Sequence, residues 1–138
     1  CLSMKRWLII SALLILVISS VAFVQPANLS KSIANGKIVY TNNCMNCHME
    51  DGKGLSGAFP PLAKSDYLKR APKDLISVIL KGQSGEIKVN GVVYNGMMPA
   101  QDYLSDEEIA DVLNYINNSW GNKNLKPILP SQVKLLRP

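Results

Sequence analysis

The five residues Cys44-Met45-Asn46-Cys47-His48 carry the most informative pattern in the sequence. They place two thiols three positions apart, which is close to one turn of a helix, and an imidazole directly after the second thiol. His48 is the only histidine in the chain. Two sulfur atoms and one nitrogen atom are therefore expected to converge on one short turn, as in a site that attaches a metal or a cofactor.

The spacing C-x-x-C-H is the motif for attachment of c-type haem. In such a site both thiols add to the haem vinyl groups, and the adjacent imidazole binds the iron as its proximal ligand. Structural zinc is less favoured because it needs four ligands, and the one further candidate, Cys1, precedes a long apolar run. A thioredoxin-like dithiol belongs in a βαβ unit, which the flanking sequence does not resemble. A plain disulfide with an unrelated histidine remains as the last alternative.

Length and composition predict one small domain with appendages. The chain has 138 residues, and its 47% hydrophobic content is raised by a single apolar segment near the N-terminus. A domain of this size buries limited apolar surface, to which a porphyrin would add a large hydrophobic body. The formal net charge is +5, but Lys and Arg do not form a dense cluster. Neither nucleic acid nor a small-molecule substrate is expected as a partner.

Residues 1–24 are predicted to be an N-terminal membrane anchor. Lys5 and Arg6 precede Trp7 to Val24, an uncharged stretch that as a helix of about 27 Å would cross the hydrocarbon core of a bilayer. By the positive-inside rule the two basic residues stay in the cytoplasm. The alternative is a cleaved signal peptide, for which Ser20-Val21-Ala22 is a suitable small-x-small cleavage site.

The predicted location is the bacterial cytoplasmic membrane, crossed once, with the following domain on the periplasmic side. Cys1 leaves one question open, because an N-terminal cysteine is also typical of lipoproteins. A lipid in the outer leaflet followed by a spanning helix would carry the domain to the wrong side. Cys1 is therefore either unmodified or lipidated with the apolar helix lying in the interface.

The rest of the chain divides into a polar linker, residues 25–31, a helical domain, residues 32–121, and a tail, residues 122–138. The first helix is expected to start at Ser30 or Ser32 as N-cap. Gly36 inside it costs about 1 kcal/mol relative to Ala, so it predicts a close approach by another helix. The tail contains three prolines and either forms a turn of helix, packs on the domain or docks on a partner.

Four local patterns predict the remaining elements. A short helical turn is expected at residues 65–70, and a helix at 73–81 with Pro72 at its first position and Gly82 at its end. Asn90-Gly91 between two alternating runs predicts a small hairpin with a type I′ turn. Ser105 and Glu108 match a capping box for a last helix that ends near residues 120–121. The predicted fold class is all-α with one small β-hairpin.

Gly96-Met97-Met98-Pro99 supplies a second candidate ligand. A methionine thioether is a soft sixth ligand for the iron of an electron-transfer haem. Two methionines in an arbitrary protein would more simply fill a core. That alternative is weaker here, because the pair follows His48 by about fifty residues in a chain with a haem motif.

Residues 31–119 resemble class I c-type cytochromes. The resemblance rests on the run from Gly36 through Tyr40 to the Cys44–His48 motif, on Phe59-Pro60-Pro61-Leu62, and on Met98 directly before a proline. It implies a class I cytochrome c fold around one covalent haem c, in which Gly36 and Tyr40 cross the last helix at Tyr115 or Ile116. It also implies that the Pro60 carbonyl accepts the Nδ1 proton of His48; Pro61 in that role, or prolines that merely stiffen the loop, are the alternatives.

The resemblance further implies that Met98 binds the iron opposite His48, with Met97 as second choice. An iron with both axial positions filled carries electrons and has no open site for a substrate, so the chain is not expected to be an enzyme. The expected function is a membrane-anchored monohaem cytochrome c that transfers single electrons between a quinol-oxidising complex and a terminal cytochrome oxidase, as a mobile carrier or a fixed subunit. The alternative is a haem-based sensor, or an enzyme's cytochrome subunit, in which Met98 is displaced by a ligand.

Overall fold

The structure is a computed structural model that describes residues 25–138, with side chains from residue 28 onward. The predicted anchor at residues 1–24, with Cys1 and the candidate cleavage site, lies outside the described residues. Within residues 25–138, no helix is both long enough and apolar enough to cross a bilayer. The elements in chain order are α1 Gln25–Asn43, α2 Met45–His48, a 3₁₀ helix Asp66–Lys69, α3 Pro72–Lys81, β1 Ile87–Val89, β2 Val92–Tyr94, α4 Asp106–Ile116 and α5 Pro130–Lys134.

Helix α1 begins earlier than its predicted start. It already includes residues 25–31, so the predicted linker is helical. Pro26 stands in the first turn, where a missing N–H removes no intrahelical hydrogen bond. Ser32 does not cap the helix, because its hydroxyl donates to Asp111 Oδ1 across the domain at 2.5 Å.

Helix α1 crosses α4 at Gly36. A Cβ atom at this position would lie 1.9 Å from the Asp111 carbonyl oxygen and 2.8 Å from Tyr115 Cβ, so only glycine permits this approach. One turn further along, the ring of Tyr40 is buried and packs against Tyr115 and Trp120 at centroid distances of 5.4 and 4.9 Å. The predicted crossing is confirmed. Of the two residues predicted to lie there, Tyr115 rather than Ile116 contacts Gly36.

Helices α3 and α4 turn apolar faces towards the interior. The buried side chains of α3 are Leu75, Ile76, Ile79 and Leu80, and those of α4 include Ile109, Val112, Leu113 and Ile116. At the start of α4, Ser105 Oγ accepts from the Glu108 amide at 3.2 Å, and Glu108 Oε2 accepts from the Ser105 amide at 2.8 Å. The predicted capping box is confirmed, and it fixes where the chain enters the last long helix.

Helix α4 ends at Ile116, before the predicted end near residues 120–121. At this point the last carbonyls of the helix accept hydrogen bonds from polar side chains. Ser119 Oγ donates to the Tyr115 carbonyl at 2.7 Å, and Asn122 Nδ2 donates to the Ile116 carbonyl at 2.9 Å. Trp120 then adopts a positive φ of 51°, which turns the chain away from the helix axis.

The predicted hairpin is confirmed as two antiparallel three-residue strands with Ile87 opposite Tyr94. Asn90 and Gly91 have φ values of 50° and 82°, as a type I′ turn requires. Asn90 also connects the hairpin to the start of the 3₁₀ helix. Its amide donates to Asp66 Oδ1 at 2.8 Å, and its side-chain oxygen accepts from the Asp66 amide at 2.9 Å. The hairpin is therefore fixed against the 3₁₀ helix.

The tail, residues 122–138, packs on the domain and forms the short helix α5. Ile128 and Val133 are buried in the same core as α3 and α4. Asn114 of α4 lies beneath them, where its Nδ2 donates to the Ile128 carbonyl at 2.9 Å and its Oδ1 accepts from the Ile128 amide at 2.8 Å. The tail is thus part of the folded domain.

The end of the tail holds the segment that precedes α4. The Arg137 guanidinium forms an ion pair with Asp106, with Nε 2.6 Å from Oδ1. It also donates to the carbonyl of Asp102 at 2.8 Å and to the carbonyl of Leu104. One arginine therefore satisfies two loop carbonyls and one carboxylate of the first turn of α4.

Replacing Gly36 by alanine is expected to lower the free energy of unfolding of the holoprotein by about 3 kcal/mol, at the upper end of typical overpacking costs. The substitution raises helix propensity by about 1 kcal/mol, but the new methyl group meets the Asp111 backbone, which cannot rotate away. Urea unfolding followed by circular dichroism measures the change. Lys37→Ala, an exposed change on the same helix, is the control and is expected to stay within about 0.5 kcal/mol of wild type; equal effects of both variants would contradict the crossing.

Candidate haem-binding site

A largely apolar cleft opens between α2, α3, α4 and the loops around the hairpin. It encloses about 1210 Å³, including the open space at its mouth. Concave sites with a mostly apolar lining and a few polar groups are typical of ligand and cofactor binding. Its apolar lining includes Leu62, Leu68, Leu75, Val78, Ile79, Leu104, Val112, Leu113 and Ile116.

The first wall of the cleft carries the Cys44–His48 motif. The helical hydrogen-bond pattern continues from α1 into α2. The Cys44 amide donates to the Tyr40 carbonyl at 2.9 Å, and the His48 amide donates to the Cys44 carbonyl at 3.0 Å. Cys44, Cys47 and His48 all line the cleft as a result. Both thiols are free, so the structure does not contain the disulfide of the alternative interpretation.

His48 is oriented by the loop that follows it. Its Nδ1 lies 3.1 Å from the Pro60 carbonyl oxygen, which leaves Nε2 as the ring nitrogen with a free lone pair. Gly54 allows this closure, because a Cβ there would lie 2.3 Å from the Phe59 carbonyl oxygen and 2.7 Å from that of Pro60. The structure thus brings together the pair that the resemblance implied, with Pro60 rather than Pro61 as acceptor.

Burial sets the protonation of this wall. It holds the pKa of His48 below its usual value, opposed in part by the hydrogen bond to Pro60. Burial and, to a smaller extent, neighbouring Cys47 together raise the pKa of Cys44 to about 11. At neutral pH the imidazole is therefore uncharged and can donate a lone pair to a metal, while the Cys44 thiol keeps its proton until it reacts.

A second part of the cleft lining, which we call the Met98 wall, carries Met98. Its side chain is half-buried and packs against the core, whereas that of Met97, also at the edge of the cleft, is 78% exposed. The backbone of Met98 forms an isolated bridge with Gln83: the Gln83 amide donates to the Met98 carbonyl at 2.9 Å, and the Met98 amide to the Gln83 carbonyl at 2.8 Å. Sequence reasoning missed Gln83, because a polar residue after a helix end gives no local signal of this pairing.

The donor set of the cleft matches one group. Two thiols, one imidazole and one thioether in a cleft lined otherwise mostly by apolar side chains fit a covalently attached haem. Within the described residues, His, Cys, Asp and Glu side chains do not form a group of three or more placed to hold a metal ion.

The comparisons with known proteins agree with this fit. The family model for cytochrome c matches residues 33–120. Cytochrome c-552 of Thermus thermophilus is 41% identical over 124 residues, which cover 84% of this chain and 83% of the relative.

Two other relatives are longer than the matched region. The cytochrome c subunit of a quinone alcohol dehydrogenase from Gluconobacter oxydans is 36% identical over 105 residues, 74% of this chain but 22% of the relative. Subunit FixP of a cbb3-type cytochrome c oxidase from Bradyrhizobium diazoefficiens is 34% identical over 101 residues, 70% of this chain and 33% of the relative. With a family model that covers most of the chain and a relative matched over most of its length, the protein belongs to the cytochrome c family as a class I c-type cytochrome, an electron carrier for which the family implies covalently bound haem c.

Proposed function

We propose that this cytochrome binds one haem c, through thioether bonds to Cys44 and Cys47, with His48 and Met98 as the two axial ligands of the iron. The observation that carries the proposal is the shared cleft: Cys44, Cys47, His48 and Met98 all line it, although Met98 follows His48 by fifty residues in the sequence. Met97 is less suited because its side chain is largely exposed.

Each ligand has a defined role in electron transfer. Haem c would supply an iron that accepts and releases one electron, and the Met98 thioether would raise its reduction potential. The Pro60 carbonyl orients the His48 imidazole and would make Nε2 a better donor. The apolar lining would exclude water, and with His48 and Met98 both bound to the iron no position would remain for a substrate.

The protein is further proposed to act in a bacterial respiratory chain, anchored in the cytoplasmic membrane with its haem domain in the periplasm. In this role it passes electrons from a quinol-oxidising complex to a terminal cytochrome oxidase, as a mobile carrier or as a fixed subunit. The uncharged run from Trp7 to Val24 supports the anchor. Relatives named as subunits of a quinone alcohol dehydrogenase and of a cytochrome c oxidase support a redox complex as the partner.

Met98→Ala is expected to leave haem attached through Cys44 and Cys47, to lower the reduction potential, and to let carbon monoxide bind the reduced protein at neutral pH. The reason is that the variant loses the thioether that favours ferrous iron and fills the sixth position. Redox titration and the carbon monoxide difference spectrum measure both effects.

Met97→Ala is the matched control for that experiment and is expected to keep the wild-type potential and to resist carbon monoxide. An unchanged potential in Met98→Ala together with a lowered one in Met97→Ala would move the ligand to Met97. Rapid and complete binding of carbon monoxide by the wild-type protein would instead support the sensor alternative.

The full chain, expressed in a bacterium that matures c-type cytochromes, is expected in the membrane fraction after a high-salt wash, with one haem per chain by the pyridine haemochrome assay. External protease should digest the haem domain in spheroplasts, since that domain lies in the periplasm. A variant with residues 1–24 replaced by a cleavable signal peptide is the control and should be released as a soluble protein. Recovery of the unaltered chain in the soluble fraction would contradict the anchor.

The place in the chain of electron carriers is tested in membranes that contain the protein. Added quinol is expected to reduce its haem, and oxygen to reoxidise it, as followed by the absorbance of the ferrous form. Cyanide, which blocks terminal oxidases, should prevent reoxidation and leave reduction by quinol intact. A haem that stays oxidised with quinol but is reduced by an alcohol or sugar substrate would place the protein with a dehydrogenase instead.

A further inference from the structure

We propose that Gly82 is a positioning residue for Met98: its missing side chain lets the segment from Met98 to Gln101 dock on the end of α3, and this docking holds the thioether in the cleft. The proposal rests on the assignment of Met98 as an axial ligand. Gly82 is not among the residues that line the cleft, so it acts through Met98.

The first observation is the space at Gly82. Its φ of 73° lies in the left-handed region, and a Cβ there would lie 2.5 Å from the Met98 carbonyl oxygen, 2.9 Å from the Ala100 amide nitrogen and 3.1 Å from the Pro99 carbonyl carbon. All three are backbone atoms, so no rotamer change can relieve the contact. Any side chain at this position must push the Met98 segment outward.

The second observation is the set of hydrogen bonds around this contact. Gln83 and Met98 exchange two backbone hydrogen bonds of 2.9 and 2.8 Å, and the Gln101 amide donates to the Ile79 carbonyl at 2.8 Å. If α3 continued, the Ile79 carbonyl would accept from the Gln83 amide. The Met98 segment takes up both groups, so it completes the C-terminus of α3.

The third observation is that α3, the helix on which the Met98 segment docks, is fixed in the core. Leu75, Ile76, Ile79 and Leu80 bury one face of α3 in the core, and Leu75 and Ile79 also line the cleft. Pro99, between the two anchored amides, has a fixed φ. The Met98 side chain is therefore presented from a segment attached to a buried helix, although the segment has no regular structure of its own.

The test compares Gly82→Ala with Gly85→Ala in the holoprotein. Gly85 also has a positive φ, 83°, but a Cβ there would meet nothing within 4 Å, so it reproduces the backbone strain without the contact. The readouts are the reduction potential, the red absorption band of thioether-ligated ferric haem, and the affinity of the ferric protein for imidazole, which competes with Met98.

Gly82→Ala is expected to weaken the red band, lower the potential and bind imidazole about tenfold more tightly, a factor equivalent to about 1.4 kcal/mol. Gly85→Ala is expected to keep all three values of the wild type. In the Met98→Ala background, Gly82→Ala should have no further effect on imidazole affinity, since the competing ligand is already absent. Equal effects of the two glycine variants, or a tenfold effect that persists without Met98, would overturn the inference.

The outcome for Met98→Ala separates the two proposals. If Met98→Ala leaves the reduction potential and the imidazole affinity unchanged, the assignment of Met98 as a ligand fails. If Met98→Ala alters both values while Gly82→Ala alters neither, only the positioning role of Gly82 fails. Should Gly82→Ala yield no holoprotein, amide hydrogen exchange of the reduced wild-type protein decides. The Met98 and Gln101 amides are then expected to exchange as slowly as those of α3, and fast exchange at both would overturn the inference.

Discussion

The contact between α1 and α4 at Gly36 is the constraint on which the rest of this cytochrome depends. Helix α1 leads directly into the haem motif, and α4 supplies Val112, Leu113 and Ile116 to the lining of the same cleft. The contact at Gly36 therefore joins the helix that leads into the motif to a helix that lines the cleft. Ser32 and Asn35 add hydrogen bonds to Asp111, which fix the rotation of α1 as well as its distance.

The two walls of the cleft are built by different means. The His48 wall is local: the motif, Gly54 and Pro60 follow one another closely in sequence, and short turns are enough to bring the imidazole to its acceptor. The Met98 wall is assembled from distant parts of the chain, since its hydrogen bonds reach back to Gln83 and Ile79.

The same division explains what the sequence could predict. The motif, the capping box at Ser105, the hairpin turn at Asn90-Gly91 and the end of α3 at Gly82 depend on neighbouring residues, and the structure has all of them. The sequence alone could not show that Ser32 is not the N-cap of α1, because its actual partner, Asp111, is 79 positions away. The end of α4 could not be predicted either, because a residue such as Ser119 or Asn122 does not reveal in advance that its side chain will bond a helix carbonyl. The pairing of Gln83 with Met98 gives no local signal either, because it is made by backbone atoms that every residue has.

Met98 lies in a segment without helix or strand, yet that segment is held from both sides. On one side it completes the end of α3, and on the other Arg137 binds the carbonyls of Asp102 and Leu104 and the carboxylate of Asp106. A neutral thioether would be a weak donor to iron, so a loop already ordered by these contacts would lose less conformational entropy if Met98 bound the iron. The cytochrome c family match ends at residue 120, which leaves Arg137 outside it. The support of the proposed ligand therefore comes partly from residues inside the family match and partly from the tail that follows it.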